Sequence, residues 1–346
     1  MANVTDYEKN VLHGHPAILV IRYTIGIVGV LANLLVVLVF IFKKIQKKSS
    51  THLLIFHQSW VDMAGSLMFV IYYTRDPPVG VAGEIFCKSR AIFWYLLYVS
   101  TNNLVLVTIE RYVAVLHSNW YRMKFSRRKR KGLVLIIPHF IALVMAMYLA
   151  VAATVNKDKA WQCDYNVTTR TLEVLSGILV FMFCWLIPTT LMIYCYARIF
   201  NMIKEKVKIE VSRSQHDLTS SGGKQNSVTP KNKMYGRAQQ NLIVTLFCVF
   251  IAFIICITPN FALYMTYALC RCFEFNSSPV HEITVTLLAI NLSVNPFIYA
   301  FKFNDFRKGL QKLKQECLVK VGFDVSDTPF TESTADEPDT NEQLNN

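Results

Sequence analysis

The pentapeptide Asn295-Pro296-Phe297-Ile298-Tyr299 sets an amide, a proline and a phenol inside a long apolar stretch. Proline removes one backbone donor and frees a carbonyl one turn earlier, so a helix there kinks and nearby polar groups or water must satisfy what is lost. The chemistry on offer is exchange of hydrogen bonds at a weak point, which is the chemistry of a switch. Two other placements share that character. Asp62 is a charge inside an apolar stretch, where it costs about 2.5 to 3.5 kcal/mol on insertion scales and must face polar partners within a bundle. Arg111 follows Glu110 directly, and its fork-shaped cation can trade one partner for another. Pro188 and Pro259 add weak points in two further stretches.

These residues need helices to position them, and the chain supplies seven. Apolar windows fall at roughly 17–42, 52–74, 85–116, 132–154, 172–203, 240–269 and 280–302. Each meets or exceeds the about 20 residues that a helix needs to cross a hydrocarbon core about 30 Å thick. Among 346 residues, 53% are hydrophobic and only 17% charged, too apolar for a soluble domain of this size. The net charge of +13 sits in short blocks between the windows and forms no face interleaved with aromatics, which excludes a nucleic-acid binder. Lys43, Lys44, Lys47 and Lys48 follow the first window, 127–131 is wholly basic, and Lys204, Lys206, Lys208, Lys231, Lys233 and Arg237 lie between the fifth and sixth. By the positive-inside rule the N-terminus is outside and the C-terminus cytoplasmic. The sequons at Asn3, Asn166 and Asn276 all fall on segments expected outside, where glycosylation is possible. The first helix is expected to serve as its own insertion signal, since no cleavable leader is evident.

The nine cysteines sort by compartment. Cys87 and Cys163 lie in oxidising territory, and a disulfide between them would contribute roughly 4 kcal/mol on the chain-entropy model. Cys270 and Cys272 are spaced too tightly for an ordinary disulfide. Cys184, Cys195, Cys248 and Cys256 read as packing residues. Residues 304–313 set Phe306, Leu310 and Leu313 on one side and cations on the other, a short helix for an anionic leaflet. Cys317 follows it, in a position that suits palmitoylation or a plain exposed thiol.

With these residues in place, the chain resembles the rhodopsin-like class of G-protein-coupled receptors over nearly its whole length, the two tails and third inner loop excepted. The resemblance is carried by Asn33, Asp62, the Cys87 and Cys163 pair, Glu110-Arg111-Tyr112, Pro188 with Tyr196, Phe253 through Pro259, and Asn295 through Tyr299. It implies an all-α seven-transmembrane helix bundle with a short amphipathic eighth helix. The expected divisions are an outer tail over 1–16, a receptor domain over 17–303 with a flexible cytoplasmic loop at about 204–238, the eighth helix over 304–316 and a disordered tail over 317–346. It also implies that Arg111 leaves Glu110 for Tyr196, Tyr299 and an inserted G-protein helix when the sixth helix swings outward. Ser100, Asn291 and Asn295 would surround Asp62 with a sodium ion, the alternative being a hydrogen-bonded or protonated Asp62 with no ion.

The departures narrow the ligand. Ile257 stands where most members carry a ligand-sensing tryptophan, Gln58 and Ser59 replace an apolar pair, and no tryptophan stands near Pro138 and His139. Phe93, or its neighbour Ile92, occupies the position of the amine-binding aspartate, so a biogenic amine is not expected. Ala289 stands where opsins attach retinal, which argues against a photoreceptor. The remaining pocket candidates are Phe93, Trp94, Tyr98, Phe181 and Asn260, with Phe261, Tyr264, Tyr267, His281 and Glu282. Such a wall suits a peptide or lipid-like ligand, His281 and Glu282 being the polar anchors. Arg237, Gln239 and Gln240 occupy the base of the sixth helix where many members place an acid against Arg111, an absence expected to raise basal activity. Ser326, Thr328, Thr331, Ser333 and Thr334 lie among acids, as phosphate sites for receptor kinases and arrestin would. The expectation is a plasma-membrane receptor, not an enzyme, that binds an extracellular ligand and activates heterotrimeric G proteins. The competing readings are a transporter or channel, marked by internal repeats and several midmembrane charges, and a non-signalling seven-helix scaffold.

Overall fold

The computed structural model describes residues 16–124, 128–157, 162–165, 167, 169–219, 230–273 and 279–320. Among them, seven helices are long and apolar enough to cross a membrane: Pro16–Phe42, Ser50–Tyr73, Val81–Leu116, Leu135–Ala152, Arg170–Lys206, Gln240–Cys270 and Val280–Lys302. These are the first to seventh spans. An eighth helix, Asn304–Lys320, follows the seventh after a break at Phe303. Polarity is inverted relative to a soluble domain. Leu31, Ile136, Phe140, Ile255 and Ile283 face outward, while Arg22, Asn33, Asp62, Asn103, Glu110 and Asn260 are buried. Lipid accepts the apolar side chains but offers nothing to a polar group, so the polar ones turn inward to each other.

Close contacts hold the spans in register. Asn33 Nδ2 donates to Gly29 O and to Leu292 O, both at 2.9 Å, and so ties the first span to the seventh. A Cβ on Gly29 would lie 2.4 Å from Ser293 Oγ and 2.5 Å from Ser66 Oγ, so only glycine lets three helices meet there. In the fifth span, Pro188 cannot donate to its helix, and residues Met182–Leu186 widen into a π turn closed by Ile187 N–H to Met182 O. Pro138, Pro259 and Pro296 lie inside the helices of the fourth, sixth and seventh spans.

One end of the bundle carries a hairpin in which β1 (Ala153–Val155) pairs antiparallel with β2 (Cys163–Tyr165), Val155 opposite Cys163. A disulfide fastens Cys163 to Cys87 on the third span. Cys270 and Cys272 also form a disulfide, which corrects the expectation that their spacing forbids one. Arg271 between them adopts a left-handed backbone, φ 49°, and that turn brings the two Cα atoms to 5.1 Å. Arg271 then pairs with Glu173, which also holds Arg170, so the sixth span is fastened to the fifth.

At the opposite end, helices run further into the expected third inner loop than its composition suggests, reaching Thr219 and resuming at Pro230. The eighth helix extends past residue 316, so Cys317 stands within it, exposed. Its first turn is docked on the second span: His52 Nε2 lies 2.9 Å from Asp305 Oδ2, and Lys48 donates to Oδ1 at 3.1 Å. The His52 bond, with attraction from Lys48, holds the Asp305 carboxyl down at about 2. A depressed carboxyl stabilises its contact fully above the unfolded value of about 4 and loses that contribution as pH falls through the folded one. A fluorophore on Cys317 is therefore expected to gain mobility between about pH 4 and pH 2, and Asp305→Asn to abolish that transition. Equal pH profiles for the two proteins would show that the carboxylate does not hold the helix.

Candidate functional site

Glu110 and Arg111 lie at the hairpin-distant end of the third span, and adjacency on the helix lets the guanidinium fold back. Arg111 Nε donates to Glu110 Oε2 at 2.7 Å and Nη2 to Oε1 at 2.8 Å, a two-pronged pair of the stronger kind. Thr51 donates to the same carboxylate from the second span, and so does Tyr121 from the short helix Ser118–Lys124. Burial, and next the Glu110 charge, push the Tyr121 phenol up to about 12, so it remains a donor. Thr51 and Tyr121 escaped the sequence reading, because neither belongs to the motif they support.

Tyr196 and Tyr299 are buried nearby but engage other groups. Thr108 Oγ1 donates to Tyr196 Oη at 3.4 Å, and the Tyr196 ring packs against Phe247 and Phe250 at 5.4 Å each. Tyr299 packs on Phe303 at 6.2 Å. Tyr112 turns toward the fifth span, 6.0 Å from the Tyr194 ring. The side chains of Arg237 and Gln239 lie outside the described residues, and Gln240 is exposed. Next to Pro259, Asn260 Nδ2 donates to Thr284 Oγ1 at 3.0 Å and joins the sixth span to the seventh.

Asp62 is fully buried and accepts three hydrogen bonds. Ser100 Oγ donates to Oδ1 at 2.7 Å, Gln58 Nε2 to Oδ1 at 2.9 Å and Asn295 Nδ2 to Oδ2 at 2.8 Å. Asn291 is buried one turn before Asn295, with no direct bond to Asp62 among the described contacts. Gln58, noted only as a departure from the family pattern, is thus a direct partner. Sodium takes oxygen ligands, whereas two of the three groups turned on this carboxylate are N–H donors. The oxygens that would hold a cation there are the Asp62 carboxylate, Ser100 Oγ and Asn295 Oδ1, the last buried with no hydrogen-bond partner among the described residues.

The ten pocket candidates separate. Trp94, Tyr98, Asn260, Phe261 and Tyr264 line an apolar cleft of only 30 Å³. His281 and Glu282 line a larger cavity of 180 Å³ between the first, second, third and seventh spans and β2. Phe93, Phe181 and Tyr267 line neither. Phe93 meets Phe69 at a tilt and Tyr73 edge-on, Phe181 packs 4.9 Å from Trp185, and Tyr267 lies 6.0 Å from Phe273. All three have aromatic neighbours and line neither of these two cavities.

The larger cavity has charged walls that the sequence reading did not anticipate. Arg22, 1% exposed, pairs with Glu282 and donates from Nη1 to Tyr73 O at 2.9 Å. Arg90 lies over the Tyr73 ring, 4.0 Å from its centroid, while Arg75 and Asp76 line the rim. Arg22 is thus an ionisable side chain buried in the bundle that the sequence reading did not name; a lone arginine in the otherwise apolar first window was the available signal. The sequons at Asn3, Asn166 and Asn276 and the tail hydroxyls from Ser326 to Thr334 lie outside the described residues.

A sequence model described as 7 transmembrane receptor (rhodopsin family) matches residues 32–299. The galanin receptor type 1 of Homo sapiens is 28% identical over 335 residues, spanning 92% of this chain and 87% of the receptor. The C-C chemokine receptor type 8 of Homo sapiens is 28% identical over 205 residues, 58% of this chain and 57% of that one. The C-C chemokine receptor type 1 of Macaca fascicularis is 23% identical over 304 residues, 83% and 76% of the two chains. Seven spans with a buried polar interior, and a family match running from the first span into the last, lead to one assignment: the chain belongs to the seven-transmembrane receptors of the rhodopsin family and is a membrane-embedded signalling receptor, not an enzyme.

Proposed function

We propose that the receptor binds a peptide at its hairpin end, outside the plasma membrane, and activates heterotrimeric G proteins at the end carrying Arg111. The basic blocks at Lys43–Lys48 and 127–131 support this orientation, since cytoplasmic loops hold the excess of lysine and arginine. Peptide is favoured over lipid because the open cavity is walled by Arg22, Arg75, Arg90, Asp76 and Glu282, while the apolar cleft is nearly filled. Relatives named for galanin and for C-C chemokines, which are polypeptides, point the same way.

The observation that carries the coupling proposal is the two-pronged Arg111–Glu110 pair. It describes a resting receptor whose cation is engaged within its own helix. Ligand binding shifts the population toward a packing in which Pro259 and Pro296 act as hinges, the sixth span moves out and Arg111 becomes available. The tail hydroxyls serve receptor kinases and arrestin in this reading, and a sodium ion beside Asp62 would stabilise the resting packing.

The test is cAMP and calcium output in cells expressing the wild type or Arg111→Ala, without ligand and against pooled peptides, with surface expression measured in parallel. Arg111→Ala is expected to lower output to that of untransfected cells at unchanged surface level. Output that survives this substitution sinks the coupling role of Arg111.

A further inference from the structure

A chain of hydrogen bonds crosses the second, third and fourth spans, away from both the cavity and Arg111. Tyr95 Oη lies 2.7 Å from His139 Nδ1, His139 Nε2 lies 2.9 Å from His57 Nε2, and His57 Nδ1 lies 3.1 Å from Asn103 Oδ1. Asn103 Nδ2 donates to Gln58 Oε1 at 2.6 Å and to Leu54 O at 3.1 Å. Gln58 Nε2 completes the chain by donating to Asp62 Oδ1 at 2.9 Å. Ionisable side chains inside a membrane bundle are costly and usually mark function, and the His57–His139 pair has no place in the coupling or ligand sites.

The direction of every link follows from its last members. Both Asn103 Nδ2 contacts are to oxygens, one of them a backbone carbonyl that can only accept, so Asn103 Oδ1 is an acceptor. His57 Nδ1 therefore carries a hydrogen. In a neutral imidazole the other nitrogen is then a bare acceptor, so His57 Nε2 receives a hydrogen from His139 Nε2. His139 Nδ1 is bare in turn and accepts from the Tyr95 hydroxyl. All five links point from Tyr95 to Asp62, an arrangement in which successive bonds polarise one another.

One atom in this chain can take a further proton with no link lost, and it is His139 Nδ1. A proton from water adds there as a new N–H, the Tyr95 hydroxyl rotates from donor to acceptor, and the other four bonds keep their direction. A second proton has no place. It would need His57 Nε2, and two imidazolium rings meeting at 2.9 Å repel each other.

We propose that His57 and His139 form a proton-binding site inside the membrane, taking one proton between them with Tyr95 as its acceptor, and that this charge acts on Asp62 through Asn103 and Gln58. The titratable groups facing the pair are few. The third span presents the Tyr95 phenol, the second presents Asp62 beyond Gln58, and the fourth presents only His139 itself. No carboxylate, lysine or arginine touches either ring among the described residues. Both rings are half-buried, packed edge to face with centroids 5.1 Å apart. The site stands on this geometry and does not depend on the ligand or the G protein.

The test uses full-length receptor in lipid nanodiscs with 15N-labelled histidine, followed by NMR from about pH 8 to about pH 5, either side of the ordinary imidazole value of about 6.5. His57→Gln and His139→Gln assign the signals. At the alkaline end His57 is expected to hold its hydrogen on Nδ1 and His139 on Nε2, opposite tautomers. On acidification a single proton is expected for the two rings. Asn103→Asp, which sets a carboxylate against His57 Nδ1, is expected to move that titration to higher pH. Asp62→Asn, which removes the acid at the far end, is expected to move it to lower pH. Two matching tautomers, two independent protons, no titration, or a titration indifferent to Asn103→Asp would overturn the site. A titration indifferent to Asp62→Asn would overturn the coupling. None of these readouts involves signalling, so a receptor with a silent G-protein assay can still be tested.

Discussion

Replacing Glu282 with alanine is expected to strip most of the receptor from the cell surface. Arg22 is 1% exposed, and among the described residues its charge is answered by that carboxylate and the Tyr73 carbonyl. Removing one partner of a buried ion pair costs about 3 to 5 kcal/mol, because the other charge is left in a medium that cannot hydrate it. That is a large share of the roughly 5 to 15 kcal/mol by which folded proteins are stable. Flow cytometry on an N-terminally tagged receptor reads the loss. The double variant Arg22→Met with Glu282→Leu is expected to restore surface expression, since an apolar pair of similar volume is commonly as stable as the ion pair it replaces. It also separates folding from recognition: a receptor that reaches the surface but no longer responds has lost charge in the cavity proposed to take the ligand. Normal surface levels of Glu282→Ala alone would mean that the Arg22 charge finds solvent.

Glu110→Gln is expected to raise ligand-independent G-protein output roughly tenfold. The substitution keeps the side chain's length but removes its charge, and it turns an N–H donor toward Arg111 in place of an oxygen. Hydrogen bonds to charged groups contribute about 1.5 to 3 kcal/mol each, and about 1.4 kcal/mol suffices for a tenfold change in a two-state ratio. Tyr121→Phe removes one donor from the same carboxylate and is expected to act in the same direction by a smaller factor. Basal cAMP or calcium, normalised to surface receptor, measures both. Unchanged output from both variants would show that the Glu110 contacts do not restrain the resting state.

The fold was legible because lipid imposes it. A helix in hydrocarbon must satisfy its own backbone, so seven apolar windows longer than a bilayer admit few other structures. Helix limits were less legible where water takes over: the fifth and sixth spans continue as polar helix past the membrane, where composition suggested loop. Asp62 stood out by its charge, and its neighbours Ser100 and Asn295 by family pattern, but Gln58 reaches it only because the two are one helical turn apart. Arg22 is not legible in the same way, because a single arginine near a helix start also fits an interfacial, snorkelling residue. What pairs it with Glu282 is the packing of the first span on the seventh, a fact about distant segments. Likewise the His57 and His139 rings are 82 positions apart, and nothing local to either announces the other. Cys270 and Cys272 were misjudged for the opposite reason, since the left-handed turn at Arg271 is a single local torsion that residue types do not declare.

Tyr121 gives Glu110 a contact outside the spans, on the short helix Ser118–Lys124. On the proposed orientation this helix faces the cytoplasm, and a G protein that draws it toward itself is expected to loosen the grip on Arg111 from below, before any ligand has arrived. Linkage then requires repayment in kind: whatever factor the ligand adds to the receptor's affinity for that protein, the bound protein adds to its affinity for the ligand. The same receptor is expected to show two ligand affinities in cells, set by how many of its copies are already engaged on the cytoplasmic side.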